Sequence, residues 1–312
     1  MEFRRRLLPA LSGVGALLVS LILAGQAPAG AATEHTGPDR DVCVGTPRDP
    51  GIISGTYYDS VKIEGVCYVN NDAAVIRANL VVSRNSALIA VWGNGPSLTV
   101  DHDLIVEHGA TLVMGCEHKV TSIFGHKSAV FPCVNDPNQN RPTYSSHDTV
   151  NGYLVAYDTL GVVVHNSSIG RNVDEVGGGG GLTCVPKGPF KLFGSPVYSD
   201  FEDNQVGGSL RIINLRSCWL GALRNNVGAN LTVHRNKMRD PDAMEINSNW
   251  VGKNLSCRSN RPRVQFGDGD GSSNAVAGLA GGECGFRVVL PDPAPEAHLH
   301  VRVKFKHISV RI

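Results

Sequence analysis

The chain has 312 residues, with 29 Lys or Arg against 28 Asp or Glu, 36 glycines and only 6% aromatic residues. Setting aside the N-terminal Glu2, Arg4, Arg5 and Arg6 takes three from the basic total and one from the acidic total, a net charge of −1. That balance argues against a nucleic acid or an anionic membrane as partner, since neither is sought by a near-neutral surface.

Residues 1–32 read as a secretory signal peptide. Arg4, Arg5 and Arg6 form a basic start, residues 14–24 are largely apolar, and Ala27-Pro-Ala29 and Ala29-Gly-Ala31 both fit a small-x-small cleavage rule. No other stretch approaches ~18 consecutive apolar residues, so no membrane span is expected after cleavage. All eight cysteines follow this segment: Cys43, Cys67, Cys116, Cys133, Cys184, Cys218, Cys257 and Cys284. An even count behind an export signal reads as disulfides. No Cys or His spacing makes a zinc site, and no metal ligand set is assigned.

Residues 33–55 are polar and rich in Pro and Gly, and are expected to be irregular. Strands begin near Tyr57, with Val61-Lys-Ile63 and Val66-Cys-Tyr-Val69 alternating. A repeat follows: Leu80, Val82 and Leu88 return as Leu104, Val106 and Leu112, each 24 positions on. The turns inside the copies carry Arg84-Asn85 and His108-Gly109, residues suited to tight or left-handed backbone. Residues 115–153 break the pattern and read as an excursion closed by Cys116 and Cys133. Regularity resumes at Leu154 and breaks again over 174–203, which holds five glycines at 177–181 and the acidic trio Asp200, Glu202 and Asp203.

The clearest signal comes next. Asn204-Gln-Val206-Gly207-Gly-Ser-Leu210-Arg-Ile212 is repeated as Asn225-Asn-Val227-Gly228-Ala-Asn-Leu231-Thr-Val233 and as Asn249-Trp-Val251-Gly252-Lys-Asn-Leu255-Ser-Cys257. A repeat of this size marks a solenoid, because one unit cannot bury its own apolar face and must stack. Leu-x-Val alternates with period 2, so the phrase ends in a strand. The glycine marks a corner where backbone approaches backbone. Asn274-Ala-Val276-Ala-Gly278 is a degenerate last copy, and 287–312 forms a tail with an alternating, basic end that could cap the stack.

These features predict an all-β fold: a single-stranded, right-handed parallel β-helix over 56–286, with about three short strands per coil of 21–25 residues and excursions at 115–153 and 174–203. Neighbours in sequence then sit in adjacent coils. That favours the pairs Cys43–Cys67, Cys116–Cys133, Cys184–Cys218 and Cys257–Cys284.

The Val-Gly-x-Asn-Leu-x-Val/Cys repeats, with a closing Asn-Leu-x-Cys and a Gly-rich segment ending in Gly-x-Cys, resemble a group of secreted actinobacterial proteins of undefined function built on right-handed parallel β-helix repeats. The resemblance covers residues 78–115 and 154–284. It implies the pectate-lyase-like solenoid fold and supplies no catalytic residue.

The chemistry is sparser. No acidic ladder stands on the repeat strands, whose outward positions are Arg211, Thr232 and Ser256. No nucleophile elbow or phosphate loop is present. Asp200 and Glu202, spaced to share a strand face, could with Asp203 bind Ca²⁺ or act as catalytic carboxylates. The plainer reading is a solvated loop edge before a coil. His118, His126 and His147 fall in the first excursion, with Asp148 beside the last. His118, His147 and Asp148 are the candidate binding residues, against a plainer reading as polar surface. The leading expectation is a secreted, non-catalytic solenoid, an extracellular or cell-envelope structural or binding protein without a cofactor, whose ligand, if it has one, is an extracellular polysaccharide. The alternative is a polysaccharide lyase or glycoside hydrolase, which requires carboxylates, with an Arg or Lys, to converge in one groove.

Overall fold

The computed structural model describes residues 34–35, 41–91, 98–115, 122–123, 126–127, 147–265 and 273–285. These residues wind into a parallel β-helix whose coils stack as three parallel sheets. In the coil that carries the first repeat phrase, the first sheet takes Leu210–Ile213, the second Trp219–Leu223 and the third Asn226–Val227.

One ladder shows why the sequence coils. Val61, Leu80, Leu104, Leu154, Val173, Leu210, Leu231 and Leu255 are successive partners in the first sheet. All are at most 1% exposed. Burying each of these side chains contributes roughly 1.5–3 kcal/mol, so the column alone is a large share of the driving force. The numbers along it give the coil lengths. Most coils take 19 to 25 residues, including two shorter than expected, from Val61 to Leu80 and from Leu154 to Val173. Two coils are lengthened by excursions, from Leu104 to Leu154 and from Val173 to Leu210.

The repeated Asn has a structural purpose. Asn204, Asn225, Asn249 and Asn274 turn inward at the corner between the second and third sheets, each at most 1% exposed. The Asn225 Oδ1 accepts the backbone N–H and the side-chain amide of Asn204, at 3.2 and 3.0 Å. Asn249 does the same for Asn225, and Asn274 for Asn249. Each Nδ2 then donates to a carbonyl one coil back, as Asn225 does to Phe201 at 2.7 Å. Ser167 stands at the head and donates its N–H to Asn204. The asparagine amides and the backbone N–H groups of Asn204, Asn225 and Asn249 at this buried corner are thereby satisfied. A second, shorter ladder runs through Asn236 and Asn260 to Glu283.

The glycine that follows the Asn in each phrase is needed for space. A Cβ on Gly207 would lie 2.4 Å from the Gly170 carbonyl oxygen, and one on Gly252 2.4 Å from that of Gly228. By contrast, the turn at Asn85 and Gly109 requires left-handed backbone, with φ of 57° and 68°.

Three expected boundaries change. The segment 33–55 is not irregular: Val42–Gly45 and Gly51–Tyr57 are coil strands, pairing with the long strand Val61–Ile76. Its glycines serve packing, since a Cβ on Gly45 would meet both Gly51 N and Val66 O at 2.1 Å. The second excursion is shorter than 174–203. Val173–Val176 and Tyr198–Glu202 are both coil strands, leaving 177–197 with its short helix Phe190–Phe193. In the first excursion, Thr149–Val150 has already rejoined the third sheet. The helix folds back over the outer face of the second sheet. There Phe190 and Val197 form an apolar cluster with Ile89, Val113 and Val163.

Three of the expected disulfides are present: Cys43–Cys67, Cys184–Cys218 and Cys257–Cys284. Cys116 and Cys133 lie outside the described residues, as does the tail 287–312. Three bridges fit an oxidising compartment.

One charged residue faces the interior. Glu175 stands in the inward column between Ala156 and Ile212 and is 0% exposed. Ser199 Oγ donates to its Oε1 at 2.6 Å, and Oε2 has no hydrogen-bond partner among the described residues. Burial pushes its carboxyl up to about 8, with the Ser199 and Thr159 hydroxyls working in the opposite direction.

Candidate functional site

Asp200, Glu202 and Asp203 do not edge a solvated loop. Tyr198–Glu202 is a strand of the second sheet, with Phe201 pointing into the core. Asp200 and Glu202 therefore share its outer face, as their spacing predicts. Asp203 follows at a left-handed corner, φ 57°.

The neighbouring coils bring two further groups. His165 ends the strand Gly161–His165 and pairs in register with Glu202. Its Nε2 lies 3.1 Å from Asp200 Oδ2 and 3.7 Å from Glu202 Oε2. Arg224 occupies the same left-handed corner one coil later. It donates to both oxygens of Asp203, at 2.9 and 3.1 Å, and also contacts Glu202. The carboxylates thus converge with an Arg, which is the geometry an enzyme would need. All five side chains are only 7–16% exposed, however, so they form a nearly closed cluster, not an open cleft.

One ligand atom each from His165, Asp200 and Glu202 lies within 4.8 Å of the others, close enough to hold a cation. Asp200 Oδ1 is buried without a hydrogen-bond partner among the described residues. The imidazole nitrogen changes the expected metal. Ca²⁺ takes oxygen ligands, whereas one nitrogen and two carboxylates suit an ion of the zinc class.

His165 and Arg224 carried no visible signal in the sequence. They meet the carboxylates through coil offsets of 37 and 21 residues, and the first includes the second excursion. Only once the register is known do they become neighbours.

A second feature lies on the third sheet. Thr149, Ser168, Gln205, Asn226 and Trp250 are in-register partners on successive coils. The first four, with Asn151, line a groove of about 310 Å³ over backbone at Gly170, Gly207 and Gly228. The glycines keep its floor low.

The histidine candidates separate. His147 Nε2 lies 3.2 Å from Ser168 Oγ, which places it at the edge of this groove. Asp148 is 0% exposed and accepts the Leu98 and Gly115 N–H groups at 2.9 and 2.8 Å, tying one coil to the next. His118 lies outside the described residues, as does the His126 side chain. Of the remaining acids, Glu245 accepts from Trp219 Nε1 at 3.2 Å, while Asp240 and Asp242 are exposed.

No protein-family model, curated protein or solved structure matches the chain. No helix among the described residues is long and apolar enough to cross a membrane.

Proposed function

We propose that the protein is a secreted, non-catalytic β-solenoid that binds an extracellular polysaccharide along the third-sheet groove, and that it belongs with the actinobacterial β-helix repeat proteins its motifs resemble. The observation that carries this reading is the in-register row Thr149, Ser168, Gln205 and Asn226. Parallel strands repeat every ~4.8 Å, so the row offers a hydroxyl or amide at each step of an extended chain. Trp250 continues the row with an amphipathic ring that can pack against a sugar face. The three disulfides support the exported setting, with residues 1–32 removed on the way.

A glycan array probed with the mature protein tests the reading. Binding that is lost in Gln205→Ala/Asn226→Ala, with an unchanged melting temperature, is the expected result. A protein that binds no glycan, or a double variant that binds as well as the parent, refutes it.

The lyase or hydrolase alternative has one observation in its favour, the meeting of His165, Asp200, Glu202 and Arg224. Burial of that cluster stands against it. A reducing-sugar release assay on the glycans that bind separates the two: sustained release, abolished in Asp200→Asn, would establish the enzyme.

A further inference from the structure

The corner between the first and second sheets changes character in the later coils. Early coils place Asn85, Gly109, Asp158 and Gly177 there, linked through successive backbone hydrogen bonds. In the later coils the corner carries Asn214, Arg235 and Ser259, all with left-handed backbone. Two residues further on stand Arg216, Lys237 and Arg261. Arg216 pairs in register with Lys237, and Lys237 bridges to Arg261. These six exposed residues line a cleft of about 560 Å³.

Three cations are therefore stacked directly over one another at the ~4.8 Å spacing of parallel strands, with a fourth, Arg235, beside them. Like charges directly opposite each other in a sheet destabilise it. Among the described residues, no carboxylate lines the cleft to offset this, none of the four cations makes an ion pair, and the one side-chain hydrogen bond they make runs from Arg235 Nε to Asn214 Oδ1, at 3.0 Å. The fold does not demand the charges, since the earlier coils make the same corner without them.

The neighbouring His234 reports the local field. Burial, and then the Arg258 and Arg235 guanidiniums, hold its imidazole below the usual range, with Glu283 opposing them. Glu283 is itself engaged by the Asn260 backbone and side-chain amides.

The glycine run at 177–181 pairs with the backbone at Arg216, on the N-terminal side of the three cations. Arg216 N–H donates to the Gly178 carbonyl, and Gly181 N–H donates to the Arg216 carbonyl. A Cβ on Gly179 would lie 2.7 Å from that same carbonyl oxygen, so only glycine can lie so close. Cys184–Cys218 ties the excursion down at this corner, and Lys187 Nζ donates to the Gly180 carbonyl.

We propose that this cleft binds an acidic polysaccharide, a polymer that carries carboxylate or sulfate groups at regular intervals along an extended chain. Stacked Arg and Lys side chains at a fixed spacing suit a repeating anion, with each guanidinium able to take two oxygens at once. The net charge, +1 for the full chain and −1 without residues 1–32, leaves no general attraction to polyanions, so the recognition is local. Among the described residues, no aromatic side chain lines the cleft. That disfavours single-stranded nucleic acid, whose binding relies on base stacking. The inference does not depend on the third-sheet groove, which lies at a different corner.

The test uses the mature, disulfide-intact protein and measures binding to an oligomannuronate, a sulfated oligosaccharide, a neutral oligosaccharide of equal length and single-stranded DNA. The first two distinguish carboxylate from sulfate as the preferred anion. Binding of at least one acidic oligosaccharide is expected, weakening steeply as salt is raised. Each of Arg216→Ala, Lys237→Ala and Arg261→Ala should weaken it by about tenfold or more, the scale of a charge-assisted hydrogen bond. Lys62→Ala, an exposed cation several coils away, should leave it unchanged. All three cations are exposed, so the variants should keep the parental circular dichroism. If the triple variant does not fold, Lys237→Gln and the salt dependence of the parent still decide. Equal binding of the neutral oligosaccharide, acidic binding that survives the three substitutions, or DNA bound as tightly as the glycans would each overturn the proposal.

Discussion

Replacing Glu175 with Gln should remove a pH-dependent loss of stability that the native chain carries. The carboxyl sits among apolar side chains inside the coil, and its pKa is pushed up to about 8 from an ordinary 4.5. Below pH 4.5 the group is protonated in both folded and unfolded chains and costs nothing electrostatically. As pH rises through 4.5, the unfolded chain releases the proton while the folded chain holds it until about pH 8. Folded stability is therefore lost progressively across that window and levels off above it. At 1.36 kcal/mol per pH unit, the interval from 4.5 to 8 sets a ceiling of about 5 kcal/mol. Gln keeps an acceptor for Ser199 Oγ at nearly the same volume but has no proton to lose. Thermal melts of both proteins from pH 5 to pH 8.5 provide the assay. The difference in melting temperature, variant minus parent, should grow by several degrees across the series. Other titrating groups cancel in that difference. A gap that stays constant with pH would mean that Glu175 is solvated, or ionised in the fold, and the reasoning would fail.

Other perturbations address the stack itself. Leu231→Asp puts an unpaired carboxylate between Leu210 and Leu255 and should abolish cooperative melting, checked by circular dichroism. Asn249→Ala strands the backbone and side-chain amides of Asn225 and the Ala222 carbonyl at once, a cost of about 3 kcal/mol or more, read by denaturant titration. Cys284→Ser opens a bridge spanning 27 positions, worth roughly 3 kcal/mol in the chain-entropy account. Hydrogen exchange should then show residues 273–285 losing protection before the central coils do.

The parts of the fold that could be read in advance are those where one column of residues repeats without interruption. Leu210, Leu231 and Leu255 recur within an identical phrase, so their register and inward direction follow from alternation alone. The neighbour pairing of cysteines follows from the same coil order. Three things were hidden for physical reasons. Val42–Gly45 and Gly51–Tyr57 looked irregular because glycine, usually a turn former, here fits strands packed too closely for a side chain. Glu175 was passed over because a carboxylate is normally assigned to the outside, and only its Ser199 and Thr159 partners make the inside tolerable. His165 meets the carboxylates through an offset that an excursion had lengthened, and Arg224, one ordinary 21-residue coil after Asp203, stands at a corner outside the repeated phrase, so neither drew notice. The acidic trio was visible as a group, but its strand setting and its guanidinium partner were not.

The column Gly170, Gly207, Gly228 and Gly252 also bears on the line the solenoid's axis follows. A Cβ at Gly207, Gly228 or Gly252 would come within 2.4–2.6 Å of the carbonyl oxygen below, where ordinary contact begins at 3.4 Å. A side chain there would have to lift one corner of its coil by about 1 Å while the Leu ladder and the Asn ladder hold the others in place. Repeated over successive coils, such a one-sided wedge would curve the rod away from that corner. The absence of four Cβ atoms therefore removes one source of curvature from this part of the stack.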